Sequence, residues 1–235
     1  MFHPGGSSIL LTGPRPFYYT YDLMSGTAVR SPRGLWGTTF TKNNGAKGIA
    51  METCAFDPSG EVLAVAGRGG MIHLVDWRAG AGQVVGSVKM NAAAKSISWV
   101  HDGSGQLMSL AEDSEIYVWD VGERRCVKRW KDDGGFGSRL MASDRAGRYL
   151  AIGCVEPHLN SDYLFIYNLL SSRTGLVNVY GSEGSTSLAS SHPKPAKTLG
   201  NLTTAITSLS FNHNSQILAI ASNTKKDQMR MVCII

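Results

Sequence analysis

The chain has 235 residues, 43% of them hydrophobic, with a formal charge of +5 and an isoelectric point near 9.1. It has no uninterrupted apolar run of the roughly 18 residues a membrane span needs, and Met1-Phe2-His3-Pro4-Gly5-Gly6 offers neither the basic start nor the apolar stretch of a secretory leader. The mild positive charge suits acidic partners such as RNA without demanding them, and 27 glycines against 8 prolines suit a chain of many tight turns.

In chain order, short apolar or alternating segments recur in groups of four, the period-two signal of β-strands. After the break Phe2-His3-Pro4-Gly5-Gly6 come Ile9–Gly13, Phe17–Leu23 and Thr27–Arg30, read as the second to fourth strands of a first copy whose inner strand is missing. Ser31–Gly48 is a polar connector in which Leu35-Trp36 and Thr38–Thr41 supply either a stray strand or a helical turn. The second copy is complete, with Ile49–Phe56, Val62–Gly67, Met71–Asp76 and Val84–Lys89. The third has Lys95–Val100, Gln106–Ala111, Glu115–Asp120 and Cys126–Trp130, joined by turns at Asp102-Gly103-Ser104-Gly105, Glu112-Asp113-Ser114 and Gly122-Glu123-Arg124-Arg125.

The fourth copy opens with Ser138–Ala142 and Tyr149–Cys154 and then has two candidates for its third strand, Tyr163–Leu169 and Leu176–Tyr180. Val155–Arg173 reads as an insertion, either translated intron or a loop outside the unit, which leaves Leu176–Tyr180 as the true strand; the rival reading takes Tyr163–Leu169 instead. Past the Gly/Ser-rich Gly181–Ser191, Pro195–Leu199 closes the unit, and a fifth copy begins with Ala205–Phe211 and Ile217–Ser222.

The breaks at Phe56-Asp57-Pro58-Ser59-Gly60, Trp99-Val100-His101-Asp102-Gly103 and Ala142-Ser143-Asp144 open 43 residues apart, and the third strands close on Tyr21-Asp22, Val75-Asp76 and Trp119-Asp120. A four-stranded unit of that period ending in Trp-Asp is the signature of a propeller blade. The expected fold is all-β: an incomplete β-propeller of about four to five blades from a seven-bladed array, because the end copies are partial. The expected blades are residues 1–48 (partial), 49–90, 91–131, 132–200 with the insertion 155–173, and 201–235 (partial).

Cys54, Cys126, Cys154 and Cys233 are far apart, so reduced buried thiols compete with long-range disulfides; a repeat β-protein of this size needs no staples, which favours the first. Catalysis finds little support. Gly67-Arg68-Gly69-Gly70 lacks the Lys and Ser/Thr of a phosphate loop, no serine sits in a G-x-S-x-G elbow, and the histidines at 3, 73, 101, 158, 192 and 213 lack metal-ligand spacing. No catalytic, cofactor-binding or metal residue, no cofactor and no small-molecule substrate is expected.

Ile116-Tyr117-Val118-Trp119-Asp120-Val121 with Arg125-Cys126, Gly86-Ser87-Val88-Lys89-Met90-Asn91, Pro193-Lys194-Pro195 and the block from Leu202 to Ser222 together resemble the WD40-repeat U3 small nucleolar RNA-associated protein 18 family of the small-subunit processome. The resemblance runs from about residue 2 to 233 and implies a WD40-type propeller that acts as a nucleolar, non-enzymatic scaffold in pre-ribosomal RNA processing and 40S subunit formation. Its implied partners are other processome proteins and the particle of U3 RNA and pre-ribosomal RNA, with no membrane. The alternative is a WD40 adaptor in another pathway, such as a substrate receptor of a ubiquitin ligase.

WD40 blades often carry a buried polar network, and here Ser109, Asp113 and Trp119 take three of its places while the histidine place falls near Met90-Asn91. Arg124, Arg125, Lys128 and Arg129, interleaved with Trp130, form a candidate RNA or partner patch, since cations beside a stacking ring suit single strands. The plainer reading is an outer strand charged to prevent edge pairing.

Overall fold

The computed structural model describes residues 1–12, 17–31, 53–78, 83–133, 137–154, 175–181, 188, 190–200, 202, 204–223 and 228–234. Among the described residues, eighteen strands form five small antiparallel sheets arranged as the blades of a β-propeller. The first holds β1 (Ser8–Leu11), β2 (Tyr19–Asp22) and β3 (Ala28–Arg30); the second β4 (Cys54–Phe56), β5 (Val62–Ala66), β6 (Met71–Asp76) and β7 (Gln83–Lys89). The third holds β8 (Ala94–Trp99), β9 (Gln106–Ala111), β10 (Glu115–Asp120) and β11 (Arg125–Lys131). β12 (Ser138–Ser143), β13 (Leu150–Cys154), β14 (Val177–Tyr180) and β15 (Lys197–Leu199) make the fourth, and β16 (Ser208–Phe211), β17 (Ile217–Ser222) and β18 (Gln228–Cys233) the fifth.

The middle strands are apolar almost without interruption because both their faces are covered. In β10, Tyr117 and Trp119 pack with Ile72 and Leu74 of the second sheet, whereas Ile116 and Val118 pack with Leu150 and Ile152 of the fourth. The same alternation repeats along the chain: Leu63, Val65 and Val75 meet Leu10 of the first sheet and Tyr18 just before β2, and Val177 and Val179 meet Leu218 and Ile220 of the fifth. Four apolar layers thus join five sheets. Large exposed apolar side chains gather instead on the first and last sheets. Ile217, Met229 and Met231 lie on the face of the fifth sheet turned away from Leu218 and Ile220, with Met231 70% exposed, and Leu11 and Tyr19 are exposed on the first.

The recurring Asp has a local cause in each turn. Between first and second strands, Asp57 Oδ1 accepts from Val62 N at 2.9 Å and Asp144 Oδ1 from Tyr149 N at 2.8 Å, fastening turns in which Gly60 and Gly147 take φ of 80° and 67°. After the third strand, Asp22 accepts from Met24 N and Asp120 from Glu123 N at 2.8 and 2.9 Å. A short carboxylate that caps a turn's free N–H groups explains both positions.

In the fourth blade, β14 pairs with β13 in the register Leu150↔Tyr180 to Gly153↔Val177, so Val177–Tyr180 is its third strand; the rival Tyr163–Leu169 lies outside the described residues, as does all of Val155–Arg173. Gly175 enters this strand at φ 80°, where a Cβ would stand 2.1 Å from the Leu202 carbonyl oxygen, so only glycine fits.

Several expectations change in detail. The first blade has more than its three strands: Phe2 bridges Ile9, and Leu10 N donates to Met1 O, so Met1–His3 runs beside β1. β15 starts at Lys197 and β16 at Ser208, later than the apolar pattern implies, while the start of the expected Ile49–Phe56 lies outside the described residues. The connector segments Leu35-Trp36 and Thr38–Thr41 lie outside the described residues. No disulfide joins the four cysteines, but only Cys154 is buried; Cys126 and Cys233 sit on outer or last strands and are exposed.

Candidate functional site

Three side-chain assemblies distinguish the third and fourth blades. In the first, Trp119 on β10 donates its indole N–H to Ser109 Oγ on β9 at 2.8 Å, both residues buried. Tyr117 stacks on Trp119 with the rings 6° from parallel, and its hydroxyl donates to Glu115 at 2.9 Å. Burial pushes the Tyr117 phenol above its ordinary pKa. Asp113 does not join this pair: it is exposed in the β9–β10 turn and accepts only from Glu115 N, at 3.2 Å. The residue of that turn that reaches inward is Ser114, held at φ 65°, whose hydroxyl accepts from Ser138 N at 3.1 Å.

The second assembly has no counterpart in the sequence reading. Asp132, 2% exposed, follows β11 and accepts from Ser138 Oγ at 2.6 Å, Tyr180 Oη at 2.6 Å and Asn178 Nδ2 at 3.0 Å. Asn178 also donates to Asp133 O and accepts from Thr198 Oγ1, while Tyr180 Oη accepts from Asp133 N. Burial raises the Asp132 carboxyl above the usual carboxylate range, against the opposing pull of its three donors, and raises Tyr180 through burial and the neighbouring carboxylate. The signal was present: Asn178 and Tyr180 are two apart and so share one face of an otherwise apolar strand. Their acceptor lies 46 and 48 residues away, which no local pattern reveals. This carboxylate has its donors satisfied within the fold and serves packing, as buried polar groups ordinarily do.

The third assembly is the basic run. Arg124 sits in the β10–β11 turn at φ 55° and donates to the Val85 carbonyl of the second blade at 2.6 Å, where Gly86 leaves room for the guanidinium. It clamps two blades. Arg125 pairs with Glu123, and Arg129 lies 3.7 Å from Glu115 and over the Tyr117 ring. Lys128 donates to the Leu188 carbonyl and caps the Trp130 ring, its ammonium 4.7 Å from the centroid; burial lowers its pKa. Trp130 itself is only 4% exposed and packs between Met108, Val118 and Met141, so it cannot stack on a base from solvent. The run is therefore divided among local tasks, and the ring expected to aid RNA belongs to the core. Among the described residues no group of three or more His, Cys, Asp or Glu side chains is assembled as a metal site would need.

Compared with known proteins, the chain matches no protein-family model. It is 33% identical over 232 residues to "Probable U3 small nucleolar RNA-associated protein 18" of Schizosaccharomyces pombe, covering 99% of this chain and 39% of the relative. It is 30% identical over 234 residues to "U3 small nucleolar RNA-associated protein 18 homolog" of Homo sapiens, covering 98% and 36%, and 27% identical to the Arabidopsis thaliana homologue over the same length and coverage. The chain therefore spans under two fifths of the length of these curated relatives. In structure it resembles a chain in the crystal structure of a mitotic checkpoint complex, with a TM-score of 0.65 at 16% identity over 96% of this chain and 59% of that one, a likeness of fold alone.

Proposed function

We propose that this chain, a homologue of the U3 small nucleolar RNA-associated protein 18 family across nearly its whole length, is a non-enzymatic assembly module of the small-subunit processome. In that role it supports pre-ribosomal RNA processing and 40S subunit formation in the nucleolus, with other processome proteins as its main ligands and the particle of U3 RNA and pre-ribosomal RNA as its setting. The observation that carries the reading is near-complete coverage of the chain by homologues that share one name in a fungus, an animal and a plant. The physical reading agrees with it: the buried polar groups of the third and fourth blades fasten strands and are consumed in doing so.

The same reading takes the five sheets as part of a larger WD40-type propeller, with blades at 1–48, 49–90, 91–131, 132–200 and 201–235. Apolar faces left uncovered on the first and last sheets support it, since a stack of sheets is stable where each face is covered. Direct RNA contact through Arg124, Arg125, Lys128 and Arg129 is a lesser part of the proposal, because these cations already have partners of their own.

Sedimentation tests the role. A tagged chain expressed in its own cells should run with pre-ribosomal particles and recover U3 RNA on pull-down. Recovery of ubiquitin-ligase subunits with no RNA would overturn it in favour of an adaptor.

A further inference from the structure

Between the third and fourth blades the outer strand β11 stands over a cleft of about 300 Å³ walled by Met108, Val118, Val127 and Trp130 on one side and by Tyr149 on the other. Two features make it more than a gap in packing. Among the described residues Trp130 Nε1 is buried without an acceptor, and an indole N–H left unpaired in the interior is costly enough that most find one. At the mouth, Lys128 holds a half-buried ammonium with three donors, of which the Leu188 carbonyl uses one. The one carboxylate on the rim, Asp102, is already turned to Ser104 N at 2.8 Å.

At the mouth it is Lys128 that favours an anionic group, while the walls are apolar.

We propose that this cleft binds an extended segment of a partner protein that inserts one large apolar side chain between the blades, presents a backbone carbonyl to Trp130 Nε1 and sets a neighbouring carboxylate on Lys128. A peptide fits better than a nucleic acid, because the walls are apolar and the Trp130 ring is buried and capped by Lys128, which leaves no open face for a base. The inference deepens the assembly role by giving it one concrete docking place.

The test uses the purified full chain and an array of eight-residue peptides, each with one Leu, Ile, Phe or Trp in a Gly/Ser background and with zero, one or two Asp at adjacent positions. Binding should require the apolar residue and rise with Asp. Trp130→Phe should weaken it about tenfold by removing the donor, without lowering the melting temperature, since the orphan group disappears with it. Lys128→Met should abolish the preference for Asp while leaving the apolar requirement. The proposal is overturned if no peptide exceeds the Gly/Ser background, if both variants bind like the parent, or if an eight-nucleotide oligouridylate is the probe bound and lost on Lys128→Met. Because the array needs no particle, a chain that binds peptides but fails to sediment with pre-ribosomes refutes the assembly role and leaves the cleft standing; the converse leaves the role and removes the cleft.

Discussion

The third and fourth blades share a four-strand order and a common apolar layer, yet they are fastened differently. In the third, one neutral bond from Trp119 to Ser109 ties two neighbouring strands whose partners are 10 residues apart. In the fourth, the Asp132 carboxylate gathers Ser138 from the first strand and Asn178 and Tyr180 from the third, reaching across 46 and 48 residues. A regular blade can rely on its short hairpins to set the register. A blade whose second and third strands are separated by more than twenty residues has no short turn to do so, and a buried multi-donor centre supplies the register from the side.

The largest expected effect follows from removing that centre. Asp132→Ala strips three buried donors of their acceptor and should cost roughly 3 to 5 kcal/mol, read as a fall in the urea midpoint with loss of the fourth blade's amide protection in hydrogen exchange. An equal loss on mutating exposed Asp133 to Ala would show that the carboxylate of Asp132 is not special.

Asp132→Asn sharpens the comparison through pH. The folded carboxyl titrates above its unfolded value of 3.8, so the folded state binds the proton more tightly. The contribution of Asp132 is fullest below pH 3.8 and declines as pH rises through the elevated folded value, then stays level. The stability gap between parent and Asn variant should therefore widen on acidification across that window. A gap that narrows there would contradict the burial assigned to Asp132.

The third blade should lose less. Trp119→Phe leaves one buried hydroxyl unpaired and Ser109→Ala one indole N–H, each costing about 1 to 3 kcal/mol. The double variant should cost less than the sum, since the interaction is lost only once. Strict additivity would mean that the pair does not couple.

The smallest effects belong to the rim. Arg125→Glu and Arg129→Glu each lie at exposed positions and should change stability by no more than about 0.5 kcal/mol. Arg124→Ala gives up the bond to Val85 and relaxes a left-handed residue only in part, so it should stay within about 1 kcal/mol. A loss of pre-ribosome association in Arg125→Glu, with circular dichroism unchanged, would return the rim to the status of an RNA footprint.

What was legible in the sequence follows from the same contrast. The Asp57, Asp102 and Asp144 turns and the Asp-closed third strands are written locally, because each carboxylate caps N–H groups within five residues of itself. The Trp119 and Ser109 pair could be placed once the blade period was known. Asp113 resembled a network member by position, but its turn points it to solvent and Ser114 inward. Asp132 carries no local signal, because its three partners come from elements that only the packed blade brings together. The sequence makes Trp130 a candidate stacking platform because alternation along β11 gives the parity of a side chain but not which parity faces the neighbouring blade.

The claim that the chain works in making the small ribosomal subunit is tested most directly by depleting it from growing cells and measuring ribosomal RNA. The account predicts that unprocessed precursor accumulates and that mature small-subunit RNA falls relative to large-subunit RNA within a few generations. An unchanged ratio with normal precursor levels, after the protein has disappeared, would contradict it.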